Sequence, residues 1–591
     1  MANDFNPGLF LERISYANSL FKESITRREL AILKPTWGCR DVKVRFHRNH
    51  SFEHVVAASA AWAGYARMSI KFQEAPYDDA LSMNVSGEDP DLEVIWYDVE
   101  AIQARLGHEI LEWLKGRINA LRASTAAPIL VVLVGLGIEQ ERELTEASKS
   151  LPGVRIAPVC DMLGSVRTSF DSRLAKISGA RLSEEANLAL AKHMACRWLP
   201  AILTPRIKAI VVDLDQTIYS GVLGEDGVSV TLTPAHASLQ ALLLKLKESG
   251  MFLAVVSKNE PADVDMLFAK RPDFPLRLED FSANEIGWGS KSESISKACQ
   301  KLRIDPSAVL FIDDNPGELA EVSGHLPGIE LIHAGADVCR TARELEFYPG
   351  LWSWGVSSDD ILRVADLGAE AARKRIRDRS SDQVEYLREL APEVDLWMNP
   401  ESLVSRLAEL SQKTNQFNLS LRRLDELKVN EYVKDAGRFA VGIGLRDSLT
   451  DSGIIAAMFG RIDDDKVIVD EWVISCRALG RGLEGLMASS ALDAAAVGHG
   501  NLLHDRKTQA AAGALAPHPG RIPPVEAFKH VGEVVVAEAR PLIAHPHLVP
   551  AIALLNRHLD LAPIGAIAQG VVEQIQHGPM QPRPIGVDQG G

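Results

Sequence analysis

The sequence contains few cysteines, and none of them belongs to a paired motif. Six cysteines are scattered over 591 residues, and no two stand in a Cys-x-x-Cys arrangement. Zinc clusters and the disulfide frameworks of small secreted domains both depend on closely spaced cysteines. Neither is therefore predicted, and we expect these thiols to be reduced and mostly buried.

Long hydrophobic runs are also absent. The longest, ILVVLVGLGI at 129–138, is far shorter than the roughly 20 residues that cross a bilayer, and it indicates a buried strand. The N-terminus, MANDFNPGLF, lacks the apolar segment of a signal peptide. We therefore expect no membrane span and a cytoplasmic location.

Basic residues are in the minority. Lysine and arginine total 64 against 79 aspartates and glutamates, which gives a formal net charge of −15. A broad negative charge opposes nonspecific binding to nucleic acid and to anionic membranes. Neither partner is therefore expected, although a local basic pocket is compatible with this composition.

What the chain does contain is an alternation of strand-like and helix-like segments, which predicts a multidomain α/β protein. We place an N-terminal α/β domain at 1–205 and a second α/β domain at 206–350. Linker helices and a third α/β domain follow at 351–500. The segment at 501–591, rich in His, Pro and Gly, is divergent and predicted to be partly disordered.

In the second domain, apolar runs alternate with helical patterns. The runs are AIVVDL (209–214), MFLAVV (251–256) and VLFI (309–312). This order predicts a Rossmann-like parallel sheet with right-handed crossovers. Because ligands bind at the carboxyl ends of the strands in such sheets, the polar residues directly after these runs are the candidate site.

Aspartates follow two of these strands. Asp213 and Asp215 stand two residues apart where the first strand stops, so the period of the pleat directs both carboxylates the same way. One can attack phosphorus, and the other can exchange a proton with the leaving group. Asp313 and Asp314 follow the third strand, where adjacent acids suit Mg²⁺. A surface turn is the alternative for the first pair.

The remaining candidates in this domain are weak on their own. Ser257, Lys258 and Asn259 follow the second strand and can donate hydrogen bonds to a phosphate, but such residues are common in loops. Lys291 is predicted to open a helix, where it could neutralise a phosphorylated intermediate. The alternative is a solvated lysine.

The order of these pieces carries more information than any one of them. Asp-x-Asp-x-Thr, then Ser, then Lys, then Asp-Asp resembles the four motifs of the haloacid-dehalogenase superfamily over about 206–335. The resemblance implies that Asp213 is the nucleophile and Asp215 the general acid and base. It also implies that Thr217 and Ser257 position the phosphoryl group.

The same resemblance implies a Mg²⁺ site. Its ligands would be Asp213, Asp313 and the backbone carbonyl of Asp215, with support from Asp314, while Lys291 balances the charge. The intervals between the motifs hold only the expected strands and helices, which leaves no room for a large cap domain. An open site of this kind suits a bulky or protein-borne substrate.

Longer stretches resemble the FkbH-like family, which is haloacid-dehalogenase subfamily IIIC. They are DLDQTIYSGVLGEDG (213–227), SKNEPADV (257–264), FIDDNPGE (311–318), QKTNQFNLSLRR (412–423) and ISCRALGRGLEG (474–485). This resemblance implies that a glyceryl unit is loaded from 1,3-bisphosphoglycerate, a phosphorylated three-carbon molecule, onto an acyl carrier protein. The product would feed polyketide or related biosynthesis.

The third domain carries a possible second site. Arg477, Gly480 and Gly482 resemble the RxxGxG phosphate loop of GNAT acyltransferases, whose glycines let backbone N–H groups approach an anion. We therefore predict a GNAT-like domain that holds the phosphopantetheine arm of the carrier protein as substrate; an ordinary loop is the alternative. Cys476 is the candidate thiol for a covalent acyl intermediate, since this chain has Ala209 where many family members have cysteine.

A polar segment precedes this domain's strands. Asn415, Gln416 and Asn418 are predicted to hydrogen-bond the substrate, although a capped loop that packs on the core is an equal alternative. The chain departs from the family pattern at Gln216, where Asn or Gly is typical, and at Tyr219-Ser220-Gly221, where Trp-Gly-Gly is typical.

The N-terminal domain takes the position of an SGNH-hydrolase-like module but lacks a Gly-Asp-Ser motif near Thr36–Cys39. We expect it to be degenerate, with a docking or structural role. For the whole chain two functional alternatives stay open. One is a stand-alone phosphatase of another metabolite, and the other is a non-catalytic scaffold that binds a carrier protein.

Overall fold

The computed structural model describes most of the first 475 residues. The described residues are 7–74, 89–106, 109–171, 181–355, 358–414, 418–463, 466–475, 478 and 533–536. The chain divides into two compact units, Met1–Val364 and Ala365–Gly591. None of the described helices combines the length and the apolar character that crossing a membrane requires.

The first unit begins with a parallel sheet that has helices on both faces. Among the described residues it has five strands in the order β2-β1-β3-β4-β5. Trp96 and Tyr97, adjacent on β3, belong to two different core clusters, which explains why this strand is apolar at successive positions. The strands are β1 (Arg40–Arg48), β2 (Met68–Glu74), β3 (Leu92–Asp98), β4 (Ile129–Val134) and β5 (Val154–Ile156). The helices are Pro7–Leu20, Arg27–Ile32, Glu53–Tyr65, Val99–Leu106, Ile110–Ser124, Ile138–Ser148, Val159–Gly164, Glu184–His193 and Leu199–Leu203, with a π-helical turn at Met194–Trp198.

The second sheet of this unit is the predicted Rossmann-like sheet. Its described strands are all parallel, in the order β10-β9-β6-β7-β8. They are β6 (Ala209–Val212), β7 (Phe252–Ser257), β8 (Ala283–Ile286), β9 (Val309–Asp313) and β10 (Glu330–His333). The helices are Leu223–Asp226, Pro234–Glu248, Pro261–Lys270, Lys291–Leu302, Pro316–His325 and Val338–Glu346. This parallel α/β arrangement confirms the predicted fold class.

The strand order of this sheet determines where a ligand can bind. The chain runs from β6 outward through β7 to β8, then returns to the other side of β6 to form β9 and β10. The direction of winding therefore reverses between β6 and β9, and the crevice at the carboxyl ends of such a pair is the usual ligand site of an open α/β sheet. Asp213 directly follows β6, and Asp313 ends β9.

The second unit contains a mixed sheet. Its described strands follow the order β11-β12-β13-β14-β15, antiparallel except that β15 runs parallel to β14. They are β11 (Glu393–Met398), β12 (Arg438–Arg446), β13 (Asp451–Asp463), β14 (Lys466–Ile474) and β15 (Glu533–Val536). The helices are Gln383–Leu390, Val404–Lys413 and Glu426–Lys434, and a further helix, Ser358–Arg379, spans the boundary between the units.

The boundaries of the four predicted domains stay predictions. The sheets assigned to 1–205 and 206–350 lie in one compact unit because a single core cluster includes residues of both. Tyr65 of the first part and Tyr348 of the second contribute to it, with ring centroids 5.9 Å apart.

Candidate active site

A buried lysine joins the carboxyl ends of β6 and β9. Lys291 Nζ lies 2.6 Å from Asp213 Oδ1 and 3.1 Å from Asp313 Oδ2. The same ammonium donates to the carbonyl of Val256, near the end of β7, at 3.1 Å. The Lys291 side chain is 3% exposed, so these contacts are shielded from the solvent screening that weakens surface ion pairs.

Lys291 reaches this position because of how its helix begins. The helix Lys291–Leu302 has Ser290 as its N-cap, whose hydroxyl accepts a hydrogen bond from the backbone N–H of Glu293. That cap fixes the first turn and places the lysine as the first helical residue. Burial alone would lower the pKa of Lys291, but Asp213 and Asp313 outweigh burial and its pKa is raised. The lysine is therefore a fixed positive charge between two acids.

Three aspartates converge beside this lysine. Asp213, Asp313 and Asp314 each offer a carboxylate oxygen, and these oxygens lie within 4.8 Å of one another. Burial raises the pKa of Asp213 to about 6, even though Lys291 acts in the opposite direction. Burial also raises the pKa of Asp313 and of Asp314. One lysine does not offset three clustered acids, and a set of hard oxygen ligands with residual negative charge fits Mg²⁺.

Asp215 lies outside this cluster, and its carboxylate has other partners. Oδ1 accepts hydrogen bonds from the hydroxyl of Tyr219 at 2.7 Å and from the N–H of Leu223 at 2.9 Å. Oδ2 accepts from Asn259 Nδ2 at 3.0 Å. The predicted acid and base is thus held in one orientation, and its predicted metal contact through the backbone carbonyl stays a prediction.

The predicted phosphate-binding residues divide into two groups. Thr217 and Ser257 are buried, and the hydroxyl of Thr217 has no hydrogen-bond partner among the described residues. Ser257 Oγ accepts from Asn259 Nδ2 at 3.0 Å. Lys258 is different, because its ammonium pairs with Glu318 Oε1 at 2.5 Å. Ser257 is thus linked through Asn259 to Asp215, whereas Lys258 pairs with the helix after β9.

One departure from the family pattern, Gln216, and the glycine retained at 221 both lie at special backbone positions. Gln216 has a φ of +53°, a left-handed conformation in which Asn and Gly are favoured and other residues are strained. Gly221 has a φ of +114°, and a Cβ there would lie 2.6 Å from Asp226 Oδ2. The glycine is therefore required at 221. Gln216 adopts its left-handed conformation at a cost in backbone strain.

Two residues of the site were missed by sequence reasoning. Tyr219 binds Asp215 from four residues downstream, within the family stretch that drew attention to this loop. His333 ends β10 in register with Asp313, and its Nε2 lies 2.9 Å from the carbonyl oxygen of Asp314. Tyr219 could have been found from its position four residues after Asp215, next to the motif. His333 lies on β10, a strand that the sequence analysis did not predict.

The predicted residues of the second unit mostly fall outside the part of the chain that the structure describes. Those outside it are Asn415, Gln416, Cys476, Arg477, Gly480 and Gly482. Asn418 is described and fully buried. Its amide binds Glu471 Oε1 at 3.1 Å and accepts from the N–H of Leu421 at 2.8 Å, which favours the packing alternative for this residue.

The solved structures include a distant likeness to this chain. No family model matches it, and no curated protein matches it. Among solved structures it is similar to the N-terminal part of the protein BF1531 from Bacteroides fragilis, described as containing a phosphatase domain complexed with Mg. The two share 20% identity, with a TM-score of 0.44, over 55% of this chain and 97% of that chain. A likeness of this degree carries no information about activity.

Proposed function

We propose that the chain is a Mg²⁺-dependent phosphoryl-transfer enzyme of the haloacid-dehalogenase type. The observation that carries the proposal is the clustering of Asp213, Asp313 and Asp314 around a buried Lys291, at the winding reversal of a parallel sheet. The three aspartates would hold the ion. When bound, Mg²⁺ would neutralise charge on the phosphoryl oxygens and keep the acids ionised at neutral pH.

The residues of this chain supply the remaining chemistry. Asp213 attacks phosphorus, so that an aspartyl phosphate forms as the bond to the leaving oxygen breaks. Asp215 donates a proton to that oxygen, then takes one from the water that hydrolyses the intermediate. Tyr219 and Asn259 fix the carboxylate of Asp215 for this role. Lys291 stabilises the negative charge that accumulates on Asp213 and the phosphoryl group.

Phosphate release from acetyl phosphate and para-nitrophenyl phosphate tests this proposal. We expect turnover that requires Mg²⁺ and that Asp213→Asn abolishes. The control is Asp265→Asn, which removes an exposed carboxylate from the helix Pro261–Lys270 and should leave turnover unchanged. Mg²⁺-independent turnover, or an active Asp213→Asn variant, would contradict the proposal.

At finer detail we propose an FkbH-like activity. Asp213 would remove the phosphate ester of 1,3-bisphosphoglycerate, and a thiol would displace the acyl phosphate to give a glyceryl thioester on an acyl carrier protein. The supporting observations are the family-like stretches at 412–423 and 474–485, which lie outside the phosphatase-like region. The phosphopantetheine arm of the carrier protein would be the final acceptor.

Intact mass spectrometry of the carrier protein tests this finer proposal. Phosphopantetheinylated carrier proteins are incubated with the enzyme, 1,3-bisphosphoglycerate and Mg²⁺, and we expect a glyceryl adduct that Arg477→Ala reduces. No adduct on any carrier, together with full turnover of phosphoesters, would instead support a stand-alone phosphatase. That alternative is favoured by one observation, since every residue of the described carboxylate site lies in the unit Met1–Val364.

A further inference from the structure

A cavity of about 350 Å³ lies within the unit Met1–Val364, and its lining residues do not include the predicted catalytic carboxylates. The helix Pro7–Leu20 and the Trp37–Gly38 segment form one side of it. The residues around β10 form the other side. Its volume falls in the range of small-molecule sites, which are roughly 300–1,000 Å³.

The arginines at this cavity outnumber the glutamates that pair with them. Arg67 engages Glu330 through both of its terminal nitrogens, at 3.1 and 3.2 Å. Arg340 pairs with Glu344, which also accepts from the hydroxyl of Tyr65 at 2.7 Å.

Arg13 is the third arginine at the cavity. Its Nη2 forms only a long ion pair with Glu330 Oε2, at 3.8 Å and beyond hydrogen-bond distance, because that carboxylate is already held by Arg67. Three arginines and two glutamates leave one positive charge in excess, and the pairing assigns that charge to Arg13. A quarter of the Arg13 side chain is exposed, so a ligand can reach it.

Apolar side chains form part of the remaining lining, beside the polar Ser323 and His333. Phe10, Ile14, Trp37 and Tyr65 contribute to it, and the guanidinium of Arg13 lies 5.7 Å from the Trp37 ring centroid. A cation held against an aromatic wall is suited to an anionic group that is attached to an apolar or planar body. Inorganic ions alone would leave the apolar lining unfilled.

His333 connects this cavity to the carboxylate cluster. It lines the cavity, and its Nε2 lies 2.9 Å from the carbonyl oxygen of Asp314. Because a carbonyl oxygen only accepts hydrogen bonds, Nε2 carries the proton. Nδ1 is buried and has no hydrogen-bond partner among the described residues, so it can accept a hydrogen bond from a donor group of an occupant but does not bind the anionic group itself. An occupant that moves His333 therefore also moves Asp314.

We propose that this cavity binds a small organic anion, a carboxylate or a phosphonate-like group on an apolar body, through Arg13. We further propose that His333 couples its occupancy to the affinity of the carboxylate cluster for Mg²⁺. The coupling part rests on the proposed metal site, whereas the binding part does not depend on it.

Calorimetric titration of the full chain in Mg²⁺-free buffer tests the binding. The probes are benzoate and benzylphosphonate, which distinguish carboxylate from phosphonate recognition, and benzyl alcohol is the neutral control. At least one anion should bind, and Arg13→Met should weaken it by about tenfold or more. Arg13→Lys should cause a smaller loss. Arg28→Met, which removes an exposed arginine, should cause none.

Equal binding of benzyl alcohol, no binding of either anion, or unchanged binding by Arg13→Met would each overturn the site. Mg²⁺ titrations with and without the saturating anion then test the coupling. The apparent Kd for Mg²⁺ should change by about threefold or more, and His333→Ala should remove that change while the anion still binds. An unchanged Kd in wild type overturns the coupling, and absence of any Mg²⁺ binding instead overturns the proposed metal site.

Discussion

Replacement of Lys291 by methionine should destabilise the protein strongly when no divalent ion is present. The ammonium lies 2.6 Å from Asp213 Oδ1 and 3.1 Å from Asp313 Oδ2, and methionine keeps much of the side-chain volume while it removes the charge. Two buried carboxylates then lose their cation. Removing one partner of a buried ion pair costs about 3–5 kcal/mol, so we expect a loss of that size in the free energy of unfolding.

Urea denaturation in EDTA measures this loss, and the same titration in Mg²⁺ measures its rescue. Mg²⁺ should stabilise Lys291→Met more than the wild type, because the ion binds the folded state and no longer competes with an ammonium for the same carboxylates. Lys297→Met, an exposed position on the same helix, is the matched control and should leave stability nearly unchanged. If Lys291→Met were as stable as that control in EDTA, the ion-pair reasoning would be refuted.

Three further predictions concern single side chains. Trp288 stands three residues before Lys291, is 71% exposed, and donates its indole N–H to Glu260 Oε1, next to Asn259, at 2.6 Å. Because an exposed indole near the site offers a surface on which a bulky leaving group can pack, Trp288→Ala should raise the KM of a bulky phosphoester about threefold, with little change for acetyl phosphate in the same steady-state assay. Gln216→Asn should raise the free energy of unfolding by about 0.5–1 kcal/mol in urea titrations, because asparagine tolerates the left-handed backbone better. Burial lowers the pKa of His50 to about 4. Between that value and the ordinary pKa of 6.5, the unfolded state binds a proton at this histidine and the folded state does not. Stability should therefore fall by about 2 kcal/mol between pH 7 and pH 5, and His50→Gln should remove that part of the pH dependence; an unchanged slope would contradict the argument.

The carboxylate site was predictable because local sequence determines most of it. Three apolar runs predicted β6, β7 and β9, and the carboxyl ends of parallel strands meet at one edge. Asp213 and Asp313 were therefore expected together, the family resemblance added Lys291, and the structure brings the three within ion-pair distance. Strand ends can be predicted from local sequence without knowing how distant segments of the chain pack.

Contacts that depend on distant packing could not be predicted in the same way. His333 reaches Asp314 only because β10 lies beside β9. The residues next to it in sequence form no motif that indicates a functional role. The two predicted domains 1–205 and 206–350 likewise share a core through residues such as Tyr65 and Tyr348, which are separated by most of the unit. Such long-range contacts follow from the whole fold.

Asn418 illustrates how one polar residue supports two interpretations. From sequence it was equally a substrate ligand or a packing residue, since an amide serves both roles. In the structure its side chain is fully buried and bound to Glu471 and to the N–H of Leu421. Its burial favours the packing role, and the burial of a loop residue cannot be inferred from its neighbours in sequence.

The central claim is that Asp213 accepts a phosphoryl group, and direct detection of that group is its sharpest test. The protein is incubated with acetyl phosphate and Mg²⁺, quenched in acid, digested, and analysed by peptide mass spectrometry. The account predicts one phosphoryl group on Asp213, which is lost on treatment with hydroxylamine and absent when EDTA replaces Mg²⁺. Turnover with no modified Asp213 peptide, or a phosphoryl group on another residue, would contradict it.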